Sequence, residues 1–169
     1  MSANNWEAAF SSKDMSWRTP PKVFHHFNKL FSFNLDAAAS PHNALCSTYY
    51  TKEDSALEKT WKEDGSRVWV NPPYGRKIAD WIKKCKEESE KGCIVAALIF
   101  SRTDTRWWHD HIMGSATMVY LIKGRIKFLT GNGKETNSAP APSCLVVWVP
   151  NLVSDNGTLF KSVTIKEIK

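Results

Sequence analysis

CIVAALIF, residues 93–100, is apolar at nearly every position, has the length of a strand, and lies between two helical patterns. Such a run suits a parallel strand covered on both faces, whereas a strand with one wet face would alternate. Immediately upstream, Ile78, Trp81, Ile82 and Cys85 mark the apolar stripe of a helix that Gly92 ends. Before that helix, RVWV (Arg67–Val70) is a second strand, closed by the stiff polar corner NPPYGR (Asn71–Arg76). Strand, helix and buried strand in succession are the unit of an α/β sheet.

The flanks extend this pattern. TPPKVFHHFNKLF opens with Thr19 as N-cap and Pro20 in the first helical turn, and Val23, Phe24, Phe27, Leu30 and Phe31 follow at helical spacing. FNLDAA then forms a short strand ending near Asp36. Asp54 is placed to cap a second helix, with Leu57 and Trp61 one turn apart. Downstream, a short helix around Trp107 and Trp108 precedes three strands, TMVYLI, RIKFL and CLVVWV, with the turn-rich TGNGKETNSAPAPS between the last two. The expected fold is an α/β sheet, mostly parallel, with an antiparallel hairpin at its edge.

With 169 residues, 42% of them hydrophobic, and eight tryptophans, the chain is expected to form one soluble globular domain over residues 17–169 after a loose segment, 1–16. No apolar run reaches the roughly 20 residues of a membrane span. The net charge of +6 favours a polyanionic partner, and because Lys and Arg are scattered, binding would come from a folded face. Cys46, Cys85, Cys93 and Cys144 form no C-x-x-C pair, so reduced thiols are expected and no metal is assigned. His109 and His111, two apart on a helix, point to different faces and do not change that. The polar N-terminus lacks a secretory layout, which with free cysteines suggests the cytoplasm.

In open α/β sheets ligands occupy the crevice beyond the carboxyl ends of the strands, where Asp36 and Asn71 both fall. An exocyclic amine on an aromatic ring is a poor nucleophile because its lone pair is delocalised into the ring. An enzyme can counter this by holding both N–H bonds with acceptors that draw the nitrogen towards a tetrahedral shape. Asn71 Oδ1 and the Pro72 carbonyl can be those acceptors, and two successive prolines, Pro72 and Pro73, hold them stiffly. Tyr74 offers a flat surface on which a planar group can stack, and Gly75 lets the backbone pass close by. The alternative is that Asn-Pro-Pro merely turns the chain out of a strand.

NPPY resembles the catalytic motif of S-adenosylmethionine-dependent amino-methyltransferases, which reads Asn, Asp or Ser, then Pro-Pro, then Tyr or Phe. SWRTPPKVFHHF, FNLDAAASPHNALCSTYYTKEDSAL, Trp61, VWVNPPYGRKIADWI and LIKGRIKF together are similar to the phage and prophage Dam-like DNA N6-adenine methyltransferases, from about Trp17 to Val149. The resemblance implies a Rossmann-like methyltransferase sheet and S-adenosylmethionine as methyl donor. It implies catalytic roles for Asn71, Pro72, Pro73 and Tyr74, with Thr19, Pro20, Asp36, Ala37 and Asp54 around the cofactor. Asp36 as a turn cap and Asp54 as an N-cap are the structural alternatives. DAAASPHNA stands where most methyltransferases carry a glycine-rich G-x-G, so alanines replace the usual freedom of glycine.

The resemblance also implies double-stranded DNA as partner, a flipped target adenine, and a phage-encoded modification in a bacterial host. No separate target-recognition domain is expected, so recognition falls to SRTDTRWWHDHI and the 130–143 loop, with Arg102, Arg106 and Lys134 as candidates for phosphate or base contacts. Specificity is then expected to be loose or very short. Methylation of RNA adenine or a protein glutamine, and a non-catalytic nucleic-acid-binding module of the same fold, are the competing readings.

Overall fold

A computed structural model describes residues 17–164 and 168; the segment 1–16 lies outside the described residues. In chain order the elements are α1 (Pro21–Phe31), β1 (Leu35–Asp36), β2 (Thr48–Tyr49), β3 (Arg67–Val70), α2 (Ile78–Glu90), β4 (Ile94–Phe100), α3 (Arg106–His111), β5 (Met118–Lys123), β6 (Ser143–Trp148) and β7 (Leu159–Thr164). The seven strands form one sheet in the order β2-β1-β3-β4-β6-β5-β7. Only β6 runs against the rest, paired antiparallel to β4 (Val95 opposite Trp148, Phe100 opposite Ser143) and to β5 (Val119 opposite Val146).

The apolar run of β4 is required because both faces of the sheet are covered. Val95, Ala97 and Ile99 join a core with Trp81, Ile82 and Cys85 of α2 and Trp108 of α3. Ala96, Leu98 and Phe100 face the other way, into a core with Val23, Phe24 and Phe27 of α1. Within the described residues, no helix is long and apolar enough to cross a membrane.

Several local expectations change. Thr19 is not the cap of α1: Pro20 takes that position at φ −60°, ψ 132°, because the residue before Pro21 is pushed to extended backbone. Leu30 is 60% exposed, and in that last turn Phe31 instead sets its ring against Phe33 and Tyr120. In place of the helix expected after Asp54 there are two 3-10 turns, Lys52–Asp54 and Trp61–Glu63. Asp54 folds back onto Thr51, and Ser55 follows at φ 52°, a left-handed conformation that ends the turn.

RIKFL has real alternation, with Ile126 and Phe128 buried, but it pairs outside the sheet: Leu129 bridges Arg18 and Glu135. The antiparallel pairing is made by β6, with β4 on one side and β5 on the other. Beyond β5 lies β7, unpredicted because its first four residues are exposed and no buried face patterns them; the two pair in parallel.

Beneath α2 sits an ionic knot. Glu88, fully buried, accepts from Lys84 Nζ at 2.7 Å and Lys91 Nζ at 2.8 Å through Oε1, and from the Trp61 backbone N–H at 2.9 Å through Oε2. Lys84 Nζ also donates to the Lys59 carbonyl at 2.5 Å. The knot pins the 56–65 segment, whose Trp61 is fully buried and donates its indole N–H to the Ala56 carbonyl.

Candidate active site

The register brings the carboxyl ends of β1, β3 and β4 together: Asp36 lies opposite Trp69, and Val70 opposite Ala97. Asn71 follows at the end of β3, and its amide nitrogen donates to the Trp17 carbonyl at 2.7 Å. A carbonyl can only accept, so this contact fixes the amide's orientation. Oδ1 is left buried with no hydrogen-bond partner among the described residues. An unpaired buried acceptor costs about 1–3 kcal/mol, so among the described residues Oδ1 is left able to accept a further hydrogen bond.

Tyr74 is buried, with its ring stacked on Phe100 (centroids 4.3 Å apart, planes at 21°) and edge-on contacts to Trp17 at 6.2 Å and Phe128 at 6.4 Å. Its hydroxyl has no partner among the described residues, and burial pushes the phenol far above its ordinary pKa, so it stays neutral. Gly75 follows at φ 133°, where a side chain would be strained, so glycine is what lets the chain leave the two prolines and re-enter α2. Beside the corner opens a cleft of about 250 Å³, lined by Tyr74, Gly75, Ile78, Phe100, Arg102, Thr105 and Trp107.

A second cradle lies behind Asn71. Arg18 Nη1 reaches the His42 carbonyl at 3.5 Å, so the Trp17–Thr19 segment spans from the loop after Asp36 to the NPPY corner. Arg18 Nε and Thr19 Oγ1 are both buried donors without partners among the described residues. Asp36, 3% exposed, accepts from Ala38 N at 3.3 Å and Leu45 N at 3.1 Å, closing the alanine-rich loop that contains Ala37. Burial raises its carboxyl to about 6, only partly offset by the Leu45 and Ala38 N–H groups. The neighbouring Cys46 thiol is pushed up to about 12 by burial and by the Asp36 charge.

The other sequence candidates divide. Arg102 lines the cleft. Arg106 is an exposed side chain in an i,i+4 pair with Asp110 at 3.1 Å, and Lys134 is exposed in a tight turn closed from Thr130. Asp54 spends its carboxylate on Thr51 N at 2.7 Å and Thr51 Oγ1 at 2.9 Å, with Lys59 at 3.8 Å. His109 Nε2 meets the Thr103 carbonyl at 2.9 Å, and no group of three or more metal-ligating side chains gathers among the described residues. Sequence reasoning missed Arg18, Phe100 and Trp107. Phe100 was legible as the last residue of the buried strand, and Trp107 as the partner of a second, adjacent tryptophan.

Comparison with known proteins is consistent along nearly the whole chain. A family model described as DNA N-6-adenine-methyltransferase (Dam) matches residues 7–167. The DNA N-6-adenine-methyltransferase of Haemophilus phage HP1 is 29% identical over 163 residues, covering 94% of this chain and 91% of the phage protein. That of Escherichia phage T1 is 28% identical over 117 residues, covering 69% of this chain and 48% of its relative. A crystal structure described as a predicted O-methyltransferase from Agrobacterium tumefaciens is 13% identical with a TM-score of 0.41, over 93% of this chain and 83% of that one. The strand order above, not that likeness, defines the fold.

Proposed function

This chain belongs to the DNA N-6-adenine-methyltransferase (Dam) family, and from that premise we propose how its residues carry out the transfer and on what. It is a DNA adenine N6-methyltransferase. We read residues 17–169 as one catalytic domain acting on double-stranded DNA in the bacterial cytoplasm, with S-adenosylmethionine as donor.

The observation that carries the reading is the buried Oδ1 of Asn71, without a partner among the described residues and oriented by the amide's bond to the Trp17 carbonyl so that it can accept a hydrogen bond from an incoming amine. With the Pro72 carbonyl as second acceptor, the two N–H bonds of adenine are oriented and the lone pair is turned out of conjugation. Burial keeps water from competing for these acceptors. Catalysis is mainly alignment, and no covalent intermediate or strong general base is needed. The buried thiols of Cys85 and Cys144 lie well above their ordinary pKa because of burial, and no nucleophilic cysteine enters this reading.

The residues present fit the proposed cofactor. Arg18 Nε and Thr19 Oγ1, without partners among the described residues, are donors suited to a carboxylate, and Asp36 offers an anion to a cationic group. When bound, S-adenosylmethionine supplies a methyl group on a positively charged sulfonium. Thr51 takes Asp54 Oδ2, which would leave Oδ1 for the cofactor. The decisive test is transfer of tritiated methyl to unmodified duplex DNA, with single-stranded DNA and RNA as parallel substrates and N6-methyladenine identified in the digest. Label on RNA alone, or none on adenine, would overturn the reading.

Two outcomes follow here. The Asp36 carboxyl is raised above its unfolded value of 3.8. Its contribution to stability is therefore fully present below about 4 and is lost as pH climbs through about 6. A bound cation reverses the preference and favours the carboxylate. Affinity for S-adenosylmethionine is expected to rise by up to about tenfold per pH unit as pH climbs towards 6, and to level off above 7. Asp36→Asn should flatten the profile. Calorimetry across that range checks it, and a flat wild-type profile would remove Asp36 from the cofactor site.

The second outcome concerns DNA. With a net charge of +6 and the basic side chains scattered over the surface, affinity is expected to fall with salt on a log–log slope steeper than about −2, at about −0.9 per phosphate contact. Fluorescence anisotropy of a labelled duplex over a salt series would measure it, and salt-indifferent binding would contradict it.

A further inference from the structure

We propose that Trp107 contacts the extruded base directly and, with Tyr74, determines which planar group the cleft accepts. This rests on the adenine-methylating activity described above and adds a residue to it. Trp107 and Trp108 are adjacent in α3, about 100° apart around the helix axis. Trp108 is 2% exposed and fills the core, whereas Trp107 is only partly buried at the core margin and lines the cleft. The core is closed by one of the pair; the other presents an indole to the space beside Tyr74.

The cleft needs such a ring. Tyr74 already has one face on Phe100 at 4.3 Å and is 9% exposed, so it can give a base only part of its surface. Phe100 is committed to the same stack and is 4% exposed. Trp107 is the remaining aromatic side chain in the lining, contributed by a different element from the corner.

Its position is fixed by the turn before it. Thr105 N and Oγ1 both donate to the Arg102 carbonyl, at 3.1 and 2.7 Å, and His109 Nε2 donates to the Thr103 carbonyl at 2.9 Å. A wall held by three hydrogen bonds to its own turn is preorganised for a rigid planar ligand. The occupant is the flipped adenine, because the cleft adjoins the same corner whose Asn71 Oδ1 awaits an amine donor.

The test uses the full chain, Trp107→Ala and Trp107→Phe, on a duplex whose methylated adenine has first been mapped with the wild-type protein. Trp107→Ala is expected to raise KM for DNA roughly ten- to a hundredfold, the range that loss of one base stack produces. The defect should shrink when the target adenine sits opposite a mismatch, since a base already unpaired relies less on capture. Trp107→Phe should restore most of it.

With 2-aminopurine at the target position, the bound duplex should fluoresce more strongly with Trp107→Ala than with wild type, because a quenching stack is gone. S-adenosylmethionine affinity should be unchanged in both variants, and Trp107→Phe should keep the wild-type melting temperature. A wild-type KM and fluorescence in Trp107→Ala would overturn the assignment, as would a Phe variant as defective as Ala together with a lowered melting temperature. Failure of the wild-type protein to methylate any adenine would instead overturn the activity on which the assignment rests.

Discussion

Asn71→Ala is expected to lower methyl transfer by at least about two orders of magnitude, the loss typical when one preorganised group is removed from a reacting centre, while S-adenosylmethionine affinity stays close to wild type. The amide has two separable jobs. Its nitrogen ties the corner to the Trp17 carbonyl at 2.7 Å, and its oxygen is an acceptor without a partner among the described residues. Asn71→Asp separates them: it keeps an acceptor for the amine but sets a second oxygen against the Trp17 carbonyl, which cannot donate. That variant should retain more activity than alanine and be less stable. Single-turnover transfer with saturating DNA and cofactor, beside thermal melts, reads both. Alanine with near-wild-type turnover would remove Asn71 from the chemistry.

The second large effect is on stability. Glu88→Ala leaves Lys84, its side chain 9% exposed, without its anion, and breaking a buried pair from one side costs about 3–5 kcal/mol. At roughly 2–4 °C per kcal/mol for a domain of this size, the melting temperature should fall by about 10 °C. Replacing the pair with packed apolar residues, Glu88→Leu with Lys84→Met, should recover much of that. Burial alone would raise the Glu88 carboxyl, but hydrogen bonds from Lys84, Lys91 and the Trp61 N–H outweigh it and hold the group below its ordinary value. The sign follows: this stabilisation is present above the unfolded pKa and is lost as acid protonates the folded carboxylate. Melts of both variants from neutral to acid pH would show it, and a shift of under about 2 °C in Glu88→Ala would mean the knot is dispensable.

The sheet was legible wherever burial imposed a period. β4 shows both faces covered, RVWV leads into its corner, and the stripe of α2 ends at Gly92, which adopts φ 109°. β7 was not legible, because an exposed edge strand imposes no pattern on its side chains. RIKFL misled for the converse reason: Ile126 and Phe128 are buried in alternation, but against neighbours that pair outside the sheet. At the site, NPPY and the sheet end were readable from local chemistry. The tie between Asn71 and Trp17, 54 positions away, depends on tertiary contact and was not. The same holds for Glu88 and Trp61.

The reversed strand β6 also has a consequence in time. It is synthesised after β4 and β5 yet lies between them, and it alone joins the two sides of the sheet. Until Ser143–Trp148 has left the ribosome, β4 and β5 each carry an unpaired apolar edge with nothing to join them. The growing chain therefore cannot close its sheet progressively from the N-terminus. It must keep its most apolar strand from pairing with other chains until a late segment arrives to complete it, and its most vulnerable moment comes during its own synthesis.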